Sequence, residues 1–367
     1  MRKKVIVKGP CLTQSGYGEH TRMILRGLRT REDLFDIYII PVGWGQTGWQ
    51  HEATEERNWM DSIITKTQLY LSKNLPFDIS LQVSIPNEWQ RMAPINIGVT
   101  AGIETTRVSP QWLQAGNMMD KIIITSKHSK DVYENTEYNG TDEFNNQVQL
   151  KLETPVEIVS YPAKGIIPPS VLNIDFKHDF NYIFVGQWGP RKNVDNMIKW
   201  WLEENWSENV GLVLKVSHIK NNLFDRKFTI EKLQHICSAT GLDPEDRKCK
   251  VYLIHGDMTE QEIIGLYHHP KIKCMISATH GEGFGLPLFD FAQVGKPIVA
   301  PAWSSYLDFL SREEDGKLIN AFLPVSFNLA KVPQHVVWEG VITPDAEWAY
   351  PHEGSFKHRI RQVRKNK

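Results

Sequence analysis

The stretch His280-Gly-Glu-Gly-Phe-Gly-Leu-Pro-Leu-Phe-Asp290 decides how this chain is read. It follows directly on Cys274-Met-Ile-Ser277, an apolar run of strand length, and leads into a helical pattern over 288–294. Strand, glycine-rich turn and helix in that order make a βα unit whose turn can approach a ligand. Gly283 and Gly285 remove the Cβ atoms that would hold a ligand away from the backbone. The free N–H groups and positive dipole end of the next helix favour a phosphate. Pro287 suits its first turn. Glu282, ahead of the turn, can accept hydrogen bonds from hydroxyl groups, and Asp290, about one turn into the helix, can hold a vicinal diol such as a ribose. The plainer alternative is a structural turn with incidental acids.

Outward from this unit, the same alternation fills the chain. In the second half, 182–185, 212–215, 251–254, 274–277 and 298–300 read as strands, and 194–202, 229–240 and 260–267 as helices. In the first half, 5–7, 36–40, 79–83, 95–99, 121–125 and 156–160 read as strands, and 21–28, 59–71 and 129–135 as helices. Alternation of this kind predicts an α/β fold with parallel sheets. Residues 137–154 are polar without periodicity and read as a surface excursion. Lys164-Gly-Ile-Ile-Pro-Pro169 punctuates the chain like a hinge. The length of 367 residues suits two domains. We place them at 1–165 and 166–343, with 344–367 forming a basic C-terminal helix that packs back on the first domain.

Composition narrows the function classes. Hydrophobic residues make up 41% and charged residues 23%, which supports packed cores and argues against wholesale disorder. The net charge of −1 gives no global field for a polyanion, so nucleic acid would have to be met by a local patch. Cys11, Cys237, Cys249 and Cys274 fit neither a zinc site nor a disulfide framework and read as reduced thiols. The apolar run after Met1 is too short for a signal peptide, and no stretch approaches 18 apolar residues, so we expect a cytoplasmic protein without a membrane span.

Three further stretches follow strands. Phe184-Val-Gly-Gln-Trp-Gly-Pro-Arg-Lys-Asn193 places Arg191 and Lys192 at a helix start, where cations oppose the dipole and so need a reason. Gly9-Pro-Cys-Leu-Thr-Gln-Ser-Gly-Tyr-Gly-Glu-His-Thr-Arg22 carries Gly16 and Gly18 in a turn at another helix start, beside Tyr17, Glu19 and His20. His255-Gly256-Asp257 follows a third strand. It either lines a nucleobase pocket through its backbone or is a loop histidine without a ligand.

The stretch around Gly283-Phe-Gly-Leu-Pro287 resembles the signature of family-4 retaining glycosyltransferases, in which two glutamates are separated by seven residues. Glu282 matches the first acid. Asp290 stands in the place of the second, one methylene shorter. The stretches Ala300-Pro-Ala-Trp-Ser-Ser-Tyr-Leu-Asp-Phe-Leu310 and Glu347-Trp-Ala-Tyr-Pro351 are similar to later family elements. The resemblance implies a GT-B architecture, two Rossmann-like domains facing across a cleft, with a nucleotide sugar as donor. It implies that Glu282 contacts the donor sugar, Asp290 the ribose, and Arg191 and Lys192 the diphosphate. Gly283, Phe284, Gly285 and Leu286 then frame the donor, joined by Gly16, Tyr17 and Gly18 from the other domain and by His255 and Gly256. Glu104, within Asn96–Arg107 and ahead of Pro110-Gln-Trp112, matches a family glutamate and could orient the acceptor hydroxyl or act as a weak base, as could His20.

The chain contains no Asp-x-Asp, the arrangement that metal-dependent single-Rossmann glycosyltransferases generally use, so we expect no metal and no cofactor beyond the nucleotide sugar, UDP-linked by preference. Stretches 9–22 and 98–135 look most like glycosyltransferases of large tailed phages. That suggests double-stranded DNA bearing 5-hydroxymethylated cytosine as acceptor, with Arg22, Arg26, Arg29, Arg31, Lys127 and Lys130 available to meet phosphates. A bacterial surface polysaccharide or other glycan is the alternative acceptor, and a non-catalytic sugar-nucleotide or glycan-binding protein the alternative of another class.

Overall fold

The computed structural model describes residues 2–141, 146–163, 165, 167–219 and 221–366. The chain forms two compact units, Met1–Tyr161 with Lys331–Glu347, and Pro162–Ala330 with Trp348–Lys367. In the first, strands β1 (Lys3–Gly9), β2 (Phe35–Pro41), β3 (Ile79–Val83), β4 (Ile95–Thr100) and β5 (Lys121–Ile124) are followed by the hairpin β6 (Glu137–Thr141) and β7 (Gln147–Lys151), then by β8 (Val156–Ile158). Six of them form a parallel sheet in the order β2-β1-β3-β4-β5-β8. Helices α1 (Gly16–Arg29), α2 (Glu55–Leu71), α3 (Pro110–Asn117) and α4 (Lys127–Asn135) connect them.

The apolar runs of the sequence are explained by burial on both faces of the sheet. Val5 and Val7 pack into one core cluster and Ile6 into another. Helices begin earlier than their apolar periodicity. Ser15 accepts the N–H of Gly18 at 2.9 Å and starts α1 at Gly16, and Thr54 accepts that of Arg57 and starts α2 at Glu55. The supposed excursion over 137–154 contains the β6–β7 hairpin; its residues 142–145 lie outside the described residues.

The second unit carries β9 (Asn181–Gln187), β10 (Gly211–Ser217), β11 (Lys250–Ile254), β12 (Ile272–Ile276), β13 (Ile298–Pro301), the hairpin β14 (Ser311–Glu314) and β15 (Lys317–Asn320), β16 (Leu323–Val325), and the paired β17 (Phe327–Lys331) and β18 (Glu347–Pro351). Its helices are α5 (Val194–Asn205), α6 (Leu223–Ala239), α7 (Glu260–His268), α8 (Leu286–Ala292), α9 (Leu307–Leu310) and α10 (Glu353–Lys365). A second six-stranded parallel sheet has the order β11-β10-β9-β12-β13-β16. Strand order reverses between β9 and β12 here, and between β1 and β3 in the first sheet. Open α/β sheets bind ligands outside the carboxyl ends of strands at such reversals.

The unit boundary falls at Tyr161/Pro162, four residues before the expected one; Lys164 and Ile166 of the expected hinge lie outside the described residues. Residues 331–347 return to the first unit. Ser109 Oγ donates to Gly340 O at 2.7 Å, Thr106 N–H to Glu347 O at 2.9 Å, and Val341 enters that unit's core. The expectation that the C-terminal helix packs back on the first domain is corrected: α10 belongs to the second unit. Phe356, Ile360 and Val363 are buried with Tyr182 and Trp200, and Tyr182 Oη donates to Ile360 O at 2.8 Å. The basic face is committed to α5 and the turn after it, with Lys357–Glu203 and Arg361–Glu204 both at 2.6 Å and Arg364–Glu208 at 3.0 Å. Phe356→Ala is therefore expected to cost about 3–5 kcal/mol, read as a lowered urea midpoint of the full chain.

Candidate active site

Arg191, Lys192 and Glu282 come together at the strand-order reversal of the second unit. The turn after β9 is a short 3-10 segment, Pro190–Lys192, ended by Asn193 in the left-handed region with φ 52°. Asn193 Nδ2 donates to Ala278 O at 3.0 Å, and the N–H of His280 to Arg191 O at 2.8 Å, so this turn is bonded to the turn after β12. Across that junction Arg191 Nη1 donates to Glu282 Oε2 at 2.9 Å and to Gly281 O at 2.7 Å. Lys192 Nζ lies 2.7 and 2.6 Å from the two carboxylate oxygens. Glu282 is 6% exposed. Burial alone would raise its carboxyl, but the charges of Lys192 and Arg191 and their hydrogen bonds outweigh that and hold it at about 2. Glu282 is thus a fixed anion that does not carry a proton at neutral pH.

The glycine-rich turn is held from behind by residues that spacing alone does not connect. Ser304 Oγ accepts the N–H of Glu282 at 3.0 Å, and Ser305 Oγ donates to Glu282 O. The His280 ring stacks on Trp348 at 4.5 Å and 10°, with Nδ1 bonded to Ala349 O at 2.6 Å. Gly285 caps α8 with φ 94°, in the left-handed region that favours glycine. A Cβ there would meet only ordinary contacts at 3.6 Å, so conformation rather than crowding requires the glycine. No side chain caps α8 at Gly285. The Phe284 ring turns into an aromatic cluster with Phe289 and Phe309 at 5.2 and 5.1 Å. Gly283 and Leu286 flank Gly285, and Asp290 is half-buried in α8, where its charge adds to burial in raising the Tyr267 phenol.

Free volume and chemistry do not coincide. The space beside Lys192, Glu282, Gly285 and Pro287 is about 10 Å³. A cavity of about 550 Å³ lies at the sheet edge, lined by Phe176, Asn222, Arg226, Tyr252 and His255 among others. The charged cluster, rather than the larger cavity, is the candidate site, because two cations fixed beside a strand-order reversal can hold an anionic group whatever the volume beside them. His255 does not join the cluster. Its Nε2 is bonded at 2.9 Å to Asp225, whose carboxylate, despite burial, is held below its usual range by His255 and the N–H groups of His218 and Ile219. Gly256 follows with φ 112°.

The other expected residues lie in the first unit. Gly16 opens α1 and is exposed. Gly18 is a packing glycine rather than a flexible one, since a Cβ would come within 2.2 Å of Thr13 O. Tyr17 Oη bonds Thr100 Oγ1 at 2.8 Å, and its ring lies 4.2 Å from that of Trp44. His20 is buried, packs edge-on to Tyr161 at 4.7 Å, and is pushed down to about 3 by burial. Its Nδ1 finds no hydrogen-bond partner among the described residues. Glu104 is half-buried just beyond β4, where its charge reaches Tyr17.

Each of the six cations expected to meet DNA phosphates has an ion-pair partner within the chain. Arg22 donates to Cys11 O and Thr13 O and pairs with Glu19 at 2.9 Å. Arg26 pairs with Glu19 and Glu56, Arg29 with Glu55, Arg31 with Asp33, Lys127 with Asp131 and Lys130 with Glu134. Among the described residues, no group of three or more His, Cys, Asp or Glu side chains is placed to hold a metal ion, and no helix is long and apolar enough to cross a membrane.

No protein-family model matches the sequence, and no curated protein matches it. Solved structures do. Sucrose-phosphate synthase from Thermosynechococcus elongatus superposes with a TM-score of 0.57 at 11% identity, covering 99% of this chain and 90% of that one. The lipopolysaccharide outer core galactosyltransferase WaaB gives 0.53 at 11% identity over 99% and 90%. Anabaena HepE, solved in complex with UDP and glucose, gives 0.51 at 11% identity over 86% and 85%. With its two parallel six-stranded α/β units, this chain has the GT-B glycosyltransferase fold.

Proposed function

We propose that the chain is a retaining, metal-independent glycosyltransferase that moves a sugar from a UDP-sugar to a hydroxyl acceptor. The observation that carries this reading is the Arg191–Lys192–Glu282 cluster at the strand-order reversal of the second sheet. A departing nucleoside diphosphate gains negative charge as the bond to the anomeric carbon breaks, and two fixed cations stabilise it. The UDP and glucose named for HepE support this donor class. Glu282, ionised throughout the neutral range, accepts hydrogen bonds from donor-sugar hydroxyls and transfers no proton. His20, held at about 3, is a poor base. The acceptor's proton therefore passes to the departing phosphate oxygen while the acceptor oxygen bonds the anomeric carbon on the same face, which gives retention.

For the acceptor we favour a glycan over hydroxymethylated cytosine in DNA, because a net charge of −1 supplies no field that draws a polyanion. The four unpaired cysteines suit a reducing cytoplasm. The test is incubation with UDP- and GDP-sugars plus neutral oligosaccharides or hydroxymethylcytosine DNA, followed by mass spectrometry and NMR of the new anomeric proton. Sugar added with the donor's anomeric configuration supports the reading. An inverted product refutes retention, and no consumption of any donor refutes the function.

A further inference from the structure

Strand β11 ends the second sheet, two strands away from the β9–β12 reversal, and among the described residues no strand pairs with its outer side. Lys250 N–H donates to Val210 O at 3.0 Å, on the β10 side. Backbone groups alternate sides along a strand, so the N–H and C=O groups of Val251 and Leu253 face the open edge. The cavity of about 550 Å³ runs along that edge, since it is lined by four consecutive residues, Tyr252, Leu253, Ile254 and His255. Ile174 and Phe176 pack with the core on one face of the sheet and α6 with the core on the other, so the groove has a wall on each side. At its rim Leu223, in the first turn of α6, is 79% exposed. Most polar side chains here are committed. Asn222 Oδ1 accepts the N–H of Asp225 at 2.9 Å, Tyr252 Oη that of Lys177 at 2.8 Å, and the His255 ring turns to Asp225. Two groups are left over. Asn221 Oδ1 is buried without a hydrogen-bond partner, its Nδ2 being given to Asp257. The Arg226 guanidinium makes no hydrogen bond or ion pair among the described residues.

Independently of the sugar-transfer reading, we propose that this groove binds an extended peptide segment of a partner protein, which adds a strand to the free edge of β11 and sets an acidic side chain on Arg226. The edge selects a peptide. A purely apolar occupant would bury the backbone groups of Val251 and Leu253 without partners. A second strand satisfies them at its own repeat, and its alternate apolar side chains fill the space beside Phe176 and Leu223. Asn221 Oδ1 can accept one further peptide N–H. Charge selects the acid, because Arg226 is the one arginine or lysine that lines the groove among the described residues, and a guanidinium pairs with a carboxylate through two parallel hydrogen bonds.

The experiment uses the full chain and an array of blocked hexapeptides that alternate Val, Ile, Leu or Phe with Thr and carry Asp, Thr or Lys at either end. Affinities of the best binders are read by fluorescence polarisation, with amide hydrogen exchange of the protein measured in parallel. Asp-bearing peptides are expected to bind at least tenfold tighter than their Lys-bearing counterparts, and Arg226→Gln to erase that preference. N-methylation of alternate peptide amides is expected to weaken binding at least tenfold, bound peptide to slow exchange over 251–254, and saturating UDP to leave peptide affinity unchanged. The proposal is overturned if no hexapeptide binds, if binding is indifferent to N-methylation, or if the preference for Asp survives Arg226→Gln. Displacement of the peptide by UDP also overturns it, by making the cavity part of the donor site. A dimer in light scattering that Leu223→Asp dissolves overturns it too, by giving the edge to a second copy of the chain. UDP binding without peptide binding leaves the glycosyltransferase reading standing, and peptide binding without UDP binding sinks that reading alone.

Discussion

Arg191→Ala and Lys192→Ala are each expected to lower sugar-transfer turnover at least tenfold. In the proposed mechanism each removes a charge-assisted hydrogen bond to the leaving diphosphate, worth about 1.5–3 kcal/mol, or roughly 10- to 150-fold in rate. Both side chains are partly open, 33% and 16% exposed, while the Glu282 side chain is 8% exposed. The carboxylate buried between them is therefore the group that suffers when either cation is lost, and urea midpoints must accompany the rates. Glu282→Gln separates charge from catalysis. It deletes the anion that the two cations now hold, so UDP binds at least as tightly while transfer falls. Near-normal turnover in both alanine variants would remove the pair from the mechanism.

Acidification gives the second large effect. Burial holds His20 at about 3, against the usual 6.5 of an exposed imidazole. The folded state refuses a proton that the unfolded state accepts, so stability is intact above pH 6.5 and falls as pH drops toward 3. The slope approaches about 1.4 kcal/mol per pH unit, giving about 2 kcal/mol by pH 5. Glu282 acts in a lower window. Its depressed value protects the fold above pH 4.5, and that contribution is lost as pH falls toward 2. Urea unfolding at pH 7.5 and pH 5 should therefore show the wild type losing about 2 kcal/mol more than His20→Phe. Parallel losses would mean that His20 titrates normally and is accessible. Neither group changes charge between pH 6 and 9, so neither produces a limb in the rate profile there.

The sequence made the sheets legible because parallel strands buried on both faces read as uninterrupted apolar runs, as at Val5-Ile6-Val7. The Arg191–Lys192–Glu282 cluster was legible as two separate turns, Arg191-Lys192 and Glu282, each after a strand. What stayed hidden depends on contacts distant in sequence. Nothing local tells that Ser304 and Ser305 hold the backbone of Glu282, or that Trp348 and Tyr350 flank His280. The C-terminal helix was recognisable from its pattern, but its docking partner is set by Glu203 and Glu204 on α5, some 150 residues away. Gly18 read as a turn glycine because a glycine's freedom is visible in sequence and its crowding against Thr13 O is not. Arg26 and Arg29 of α1 read as part of a phosphate footprint because their partners Glu56 and Glu55 sit on another helix.

The most direct test of the central claim is calorimetric titration of UDP into the wild type and into the Arg191→Ala/Lys192→Ala double variant at pH 7.5. The account predicts saturable binding to the wild type and at least a hundredfold loss in the double variant, with the fold intact by circular dichroism. Equal affinity in the two proteins, or no binding to the wild type, would contradict it.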